Sequence, residues 1–287
     1  NKINTFKMDF TRWHQRYCTD SRLKYPSIKT QENYQSSVGS FLKYFEKETD
    51  PQHIKTEQIK EWLLTFQTIN TRNHKLCAVK SFYEITVGMP LKLDKIPYSK
   101  KDKKLPIVLS VEEIQRMFTA CENLKHKVIL AMLYSCGFRV SELINLKWTH
   151  IDRSRMIINV VQGKGKKDRQ VMLSPDLIPL LEKYWNEYKP KEYVLNGQFP
   201  VKELRYSDRS IGEVIKQLAA KAGLDNKRVY THLIRHCFAT HLVEQGTDIN
   251  LIQRLLGHSN VKTTSVYLHI SNNLIKNIPS PIAGIKM

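Results

Sequence analysis

Residues 231–267 read THLIRHCFATHLVEQGTDINLIQRLLGHSNVKTTSVY, a run of helix caps and glycine stops that carries four polar groups at set positions. Thr231 is the expected N-cap of a helix in which His232 and Arg235, three residues apart, share a face. That helix ends near Gly246, Asp248 caps another that stops at Gly257, and Ser259 caps a last short helix bearing Tyr267. His258 falls in the turn between the last two. Such an array suits a phosphodiester: an arginine holds phosphate oxygens, two histidines trade protons or hydrogen bonds, and a phenol attacks. His236 is rotated by one position from Arg235 and reads as a packing or capping residue. Zinc on His232, His236 and His241 is a competing reading, weakened by the lack of an HExxH glutamate and by a cation between the ligands.

Upstream stretches add two more groups. VILAMLYSC is a strongly apolar helix that stops at Gly137, so Arg139 opens the short helix VSELINL. MIINVV and RQVML alternate as strands joined by QGKGKKD, which places Lys164 in a hairpin turn. Ser110 and Glu113 form a capping box ahead of these elements, Ser174 and Pro175 start a helix over DLIPLLEKYWNEY, and a further helix covers roughly residues 208–222. A phenol of pKa about 10 is a poor nucleophile at neutrality. Arg139 and Arg235 supply the cations it needs, His232 the proton acceptor, and Lys164 a proton for the departing 5′ oxygen. This scheme needs no metal, and covalent capture conserves the phosphodiester energy, so neither ATP nor another cofactor is expected.

The N-terminal part is helical as well. Residues from about 4 to 88 read as four helices, the second showing the stripe Tyr34, Val38, Phe41, Leu42 and Phe45. Pro90 to Pro106 is a lysine-rich, apolar-poor linker. The expected class is therefore mainly α with a small antiparallel β-sheet, in two domains: a helical bundle over 1–90, a basic linker over 91–106, a catalytic domain over 107–270 and a tail over 271–287. Lys plus Arg number 46 against 27 Asp plus Glu, a formal charge of +19, which points to a polyanionic partner. Five cysteines without CxxC spacing indicate neither a disulfide framework nor a zinc ribbon, and no apolar run is long enough to span a membrane. A cytoplasmic protein is expected.

In CGFRVSELINLKWTHID, GKGKKDRQVMLS and the opening stretch, the chain resembles the tyrosine recombinases, the phage integrase and Xer-like family. The resemblance places catalytic roles on Arg139, Lys164, His232, Arg235, His258 and the nucleophile Tyr267, with Glu142 supporting them from behind. Ile234 stands where leucine is commoner, and the Ser280–Pro281 ending resembles that of integron-type integrases. It further implies a C-shaped clamp on double-stranded DNA with paired inverted core sites, a homo-tetramer on synapsed DNA from a chain that is a monomer or weak oligomer when free, and a Holliday junction. A bacterial or phage protein acting at the nucleoid follows. In the tail, Leu274, Ile275, Ile278, Ile282 and Ile285 offer apolar surface for docking on a neighbouring protomer or folding back on the same one. Arg72, Asn73, Lys75, Lys166 and Arg209 are candidates for DNA contact. A type IB topoisomerase and a non-catalytic DNA-binding regulator remain open as alternatives.

Overall fold

The computed structural model describes residues 9–47, 50–100, 107–161, 168–197, 205–258 and 260–270. The chain divides into two compact units, Asn1–Lys103 and Lys104–Met287.

In the first unit, α1 (Phe10–Lys24), α2 (Ile28–Tyr44), α3 (Thr56–Leu64) and α4 (Ile69–Phe82) follow the expected order. Side chains of Asp9, Ser27 and Thr68 cap α1, α2 and α4 by accepting backbone N–H groups that the first turn leaves open. The α2 stripe forms the core. Phe41 meets the rings of Phe45, Trp62, Phe82 and Tyr83 at centroid distances of 5.1 to 6.2 Å, mostly edge to face, as the ring quadrupoles favour. A π-helical turn, Tyr83–Val87, follows α4 and ends at Gly88. The expected linker begins inside this unit: Leu93 and Ile96 are buried in its core. Two apolar side chains among many lysines suffice to anchor the segment, which composition alone averages away.

The second unit is built around two helices that are apolar on nearly every side, α6 (Leu124–Cys136) and α10 (Thr231–Glu244), as expected of central helices. α5 (Val111–Thr119) carries the Ser110–Glu113 capping box, and α7 (Val140–Ile144) follows Arg139. Among the described residues the sheet has three strands, ordered β1 (Ile151–Asp152), β2 (Ile157–Val160), β3 (Arg169–Met172), all antiparallel. β1 is two residues long, too short for any alternation to announce it. The remaining helices among the described residues of this unit are α8 (Leu177–Tyr188), α9 (Asp208–Lys221), α11 (Ile249–Leu256), α12 (Val261–Thr264) and α13 (Val266–Ile270). The N-cap of α10 is Tyr230, in extended backbone and without a side-chain cap bond, whereas Thr231 is already helical. Ser259 and the tail 271–287 lie outside the described residues.

Gly137 ends α6 in the left-handed region at φ 60°, and a Cβ there would meet Phe238 of α10 at 2.4 Å. Glycine thus lets α6 terminate against α10. Gly246 has φ 84° with nothing within 4 Å of a Cβ. Gly246→Ala should therefore cost about 1–2 kcal/mol, the left-handed penalty alone. Gly137→Ala should cost about 2–5 kcal/mol because overpacking against Phe238 adds to it. Urea unfolding of the two variants side by side measures the difference.

Candidate active site

Three arginines and one glutamate form the centre of the second unit. Glu142 projects from the first turn of α7, where its carboxylate accepts the Arg139 backbone N–H at 2.7 Å and Arg139 Nη1 at 2.8 Å. Arg169, at the start of β3, donates Nη1 and Nη2 to the two carboxylate oxygens at 2.7 Å each. Arg235 Nη1 lies 3.7 Å from the same carboxylate. Glu142 and Arg235 are 7% and 3% exposed, so these charges sit where water cannot screen them.

Helix ends supply the remaining acceptors. The last carbonyls of an α-helix have no partner within the helix and form its negative pole. Arg235 donates Nη1 to Gly137 O, just past α6, at 2.6 Å and Nη2 to Leu256 O, the last residue of α11, at 2.5 Å. Arg169 Nε donates to Leu255 O at 2.6 Å. Gly257, with φ 63°, turns the chain away from α11, and a Cβ on it would approach Arg169 Cδ to 2.9 Å. The left-handed turn delivers His258 to the cluster.

His258 Nε2 lies 3.4 Å from Arg235 Nη2, and since a guanidinium only donates, Nε2 accepts. Its Nδ1–H therefore donates to Thr264 Oγ1, at 3.0 Å. Burial, then the charges of Arg235 and Arg139, pull the His258 pKa down to about 4, so it is neutral at pH 7. Burial and repulsion by Arg139 bring Arg235 down to about 9, which leaves it a cation. Burial acts to raise the Glu142 carboxyl, but Arg169 and Arg139 outweigh it and hold the group at about 2.

Tyr267 on α13 is 2% exposed and packs with Phe238, Ala239, Val243, Ile252 and Leu256. Its hydroxyl is 2.9 Å from His236 Nδ1. This corrects the sequence reading in which His236 only packs or caps. His236 and His232 share a face at i, i+4, and His232 lies exposed in the first turn of α10. The zinc arrangement is not formed, because His241 is bound to Tyr134 Oη at 2.8 Å and Leu109 O at 3.0 Å while His236 faces Tyr267. The structure thus brings together Arg139, Glu142, Arg235, His258 and Tyr267, while Lys164 and Lys166 lie outside the described residues.

Among the candidates for DNA contact, Arg209 is exposed in the first turn of α9. The other three, all on α4, have internal work. Arg72 donates to Phe66 O and Lys75 to Ser40 Oγ. Asn73 clasps the backbone of Ser99, donating to its carbonyl and accepting its N–H at 2.9 Å each. An amide used at both ends in this way positions a loop and has less to offer a base edge.

Arg169 went unnoticed in the sequence although a signal was there. Alternation in β3 places it on the face of Val171 and Leu173, both buried, and an inward arginine demands a buried acid.

The profile of the Phage integrase family matches residues 108–273, and that of the phage integrase N-terminal SAM-like domain matches 13–93. The chain belongs to the phage integrase family. The y4qK protein of Sinorhizobium fredii is 36% identical over 96% of this chain and 90% of its own length. Tyrosine recombinase XerD of Rickettsia bellii is 30% identical over 85% of this chain and 89% of its own. Among solved structures, XerA recombinase is similar at TM-score 0.55 and 28% identity, covering 93% of this chain and 96% of that one. A lambda integrase dimer bound to a core site shares the fold at TM-score 0.74 and 17% identity, covering 88% and 96%. The chain is thus an enzyme of the tyrosine recombinase/integrase type, mostly helical with a small antiparallel sheet.

Because the folded carboxyl of Glu142 lies below its ordinary 4.5, its stabilisation is complete above that pH and is lost as pH falls toward about 2. The shift corresponds to about 3 kcal/mol. Glu142→Gln should be destabilised by at least that much at pH 7, with the gap from wild type closing between pH 4.5 and 2 in urea titrations.

Proposed function

We propose that this chain is a site-specific DNA recombinase that cleaves and rejoins strands through a 3′-phosphotyrosyl bond on Tyr267. The observation that carries this reading is the buried arginine cluster with Tyr267 packed beside it. Three guanidiniums share one carboxylate, so the site holds unbalanced positive charge, as a phosphate gaining charge in its transition state requires. Arg139 and Arg235 take the non-bridging oxygens, His232 and His258 add hydrogen bonds, and Lys164 protonates the leaving 5′ oxygen. Glu142 and Arg169 keep the first two arginines in place. The bond energy is held in the phosphotyrosine, and attack by a second 5′ hydroxyl rejoins the strand without cofactor.

The substrate is double-stranded DNA with paired inverted core sites, bound by the helical N-terminal domain and by the catalytic domain and exchanged through a Holliday junction within a homo-tetramer. The formal charge of +19 suits that partner. Further support comes from the shared fold of XerH bound to palindromic difH substrate, at TM-score 0.71, and of the lambda integrase dimer on its core site. The apolar tail residues dock on a neighbouring protomer, and the protein works in the cytoplasm.

DNA recovered with the protein, and its mapped cleavage points, define the site. A duplex of that site with a nick near the cleavage position should then trap an SDS-resistant adduct. Tyr267→Phe should form none, and Arg235→Ala should form it about 10²–10³-fold more slowly. An equal adduct from Tyr267→Phe refutes the nucleophile, and relaxation of any supercoiled plasmid without a site supports the topoisomerase alternative. Affinity for the duplex should fall with salt at a log–log slope of about −0.9 per phosphate neutralised.

A further inference from the structure

We propose that His236 is the base of strand cleavage: as Tyr267 Oη bonds to phosphorus, its proton passes to His236 Nδ1. This rests on the recombinase reading and adds to it a residue that the spacing of His232 and Arg235 does not point to. The contact is direct, 2.9 Å between Nδ1 and Oη, with ring centroids 5.6 Å apart. A neutral imidazole with its hydrogen on Nε2 accepts the phenol hydrogen at Nδ1, which is the direction the reaction needs.

The other two histidines are less well placed. His232 is exposed in the first turn of α10. His258 turns its lone pair toward Arg235 and gives its hydrogen to Thr264. His236, by contrast, follows Arg235 directly on a helix whose neighbouring side chains are buried, so one rigid element holds both the phosphate anchor and the proton acceptor.

The electrostatics agree with the geometry. Burial raises the Tyr267 pKa and only partly yields to the lowering by Arg235 and Arg139, so a preformed phenolate is disfavoured and the proton must leave during attack. The groups facing His236 are His232 and Arg235 on its own helix, Tyr267 on α13 and His258 past α11. Among the described residues none of these is an acid, and burial together with His232 and Arg235 lowers its pKa, which keeps the acceptor neutral at pH 7. The step balances: the Tyr267 Oη–P bond forms, the P–O5′ bond breaks, the phenol proton goes to His236, and the 5′ oxygen receives one from Lys164. Rejoining runs in reverse, with His236 returning its proton to the departing phenolate.

The test measures single-turnover adduct formation on the nicked duplex defined above, between pH 5 and 8, with an ordinary 5′ oxygen and with a 5′-bridging sulfur. Wild type should lose rate on an acidic limb that lies below the ordinary imidazole value of about 6.5, because the His236 pKa is lowered. His236→Ala should be about 10²-fold slower or more, recover with added imidazole, and stay slow on the sulfur substrate. That substrate, whose leaving group needs no proton, should rescue Lys164→Ala instead. If His236→Ala fails to fold, His236→Asn, which keeps an acceptor but does not titrate, should be slow and lack the acidic limb. Either variant cleaving as fast as wild type or faster overturns the proposal, leaving the contact as a resting latch. No adduct from wild type would instead refute the recombinase reading.

Discussion

One buried carboxylate organises the catalytic unit. Glu142 holds Arg169 with both oxygens and Arg139 with one, and it lies within 4 Å of Arg235. An arginine cannot shed its charge at neutral pH, so bringing three of them out of water requires a counter-charge and a full set of acceptors. Glu142 gives the first, and the open carbonyls at the ends of α6 and α11 give most of the second. Elements far apart in sequence are thereby tied to one point: α7, the first residue of β3, the middle of α10 and the turn that carries His258. Packing brings these segments near one another, and the charge cluster sets where each guanidinium points.

The parts legible in the sequence were those with local causes. An apolar stripe located α2, and caps or glycine stops located α5, α6 and α11. What stayed hidden depended on contacts across the fold. Arg169 gains its meaning from Glu142, 27 residues away. His236 gains its own from Tyr267, 31 residues away, and spacing within α10 offers no way to decide which histidine a later helix will touch. Leu93 and Ile96 looked like part of a linker until a core was present to receive them.

The residues suspected of meeting DNA illustrate a related limit. Polarity on a helix face is the same whether a side chain serves a nucleic acid or a neighbouring loop. Asn73 is indistinguishable from a base reader in sequence, yet its amide is matched to the Ser99 peptide. Arg209, exposed on α9, keeps the character that its sequence suggested.

On the recombinase reading proposed above, the burial of Tyr267 bears on how searching and cutting are kept apart. A basic protein spends most of its time on DNA that is not its site, and a solvent-facing activated tyrosine would be a standing source of strand breaks there. With the ring 2% exposed, core packing limits how much of the phenol a passing duplex can meet, while the His236 contact stays in place as the acceptor that the proposed reaction uses. On that reading, restraint on the nucleophile comes from core packing, the same force that folds the domain.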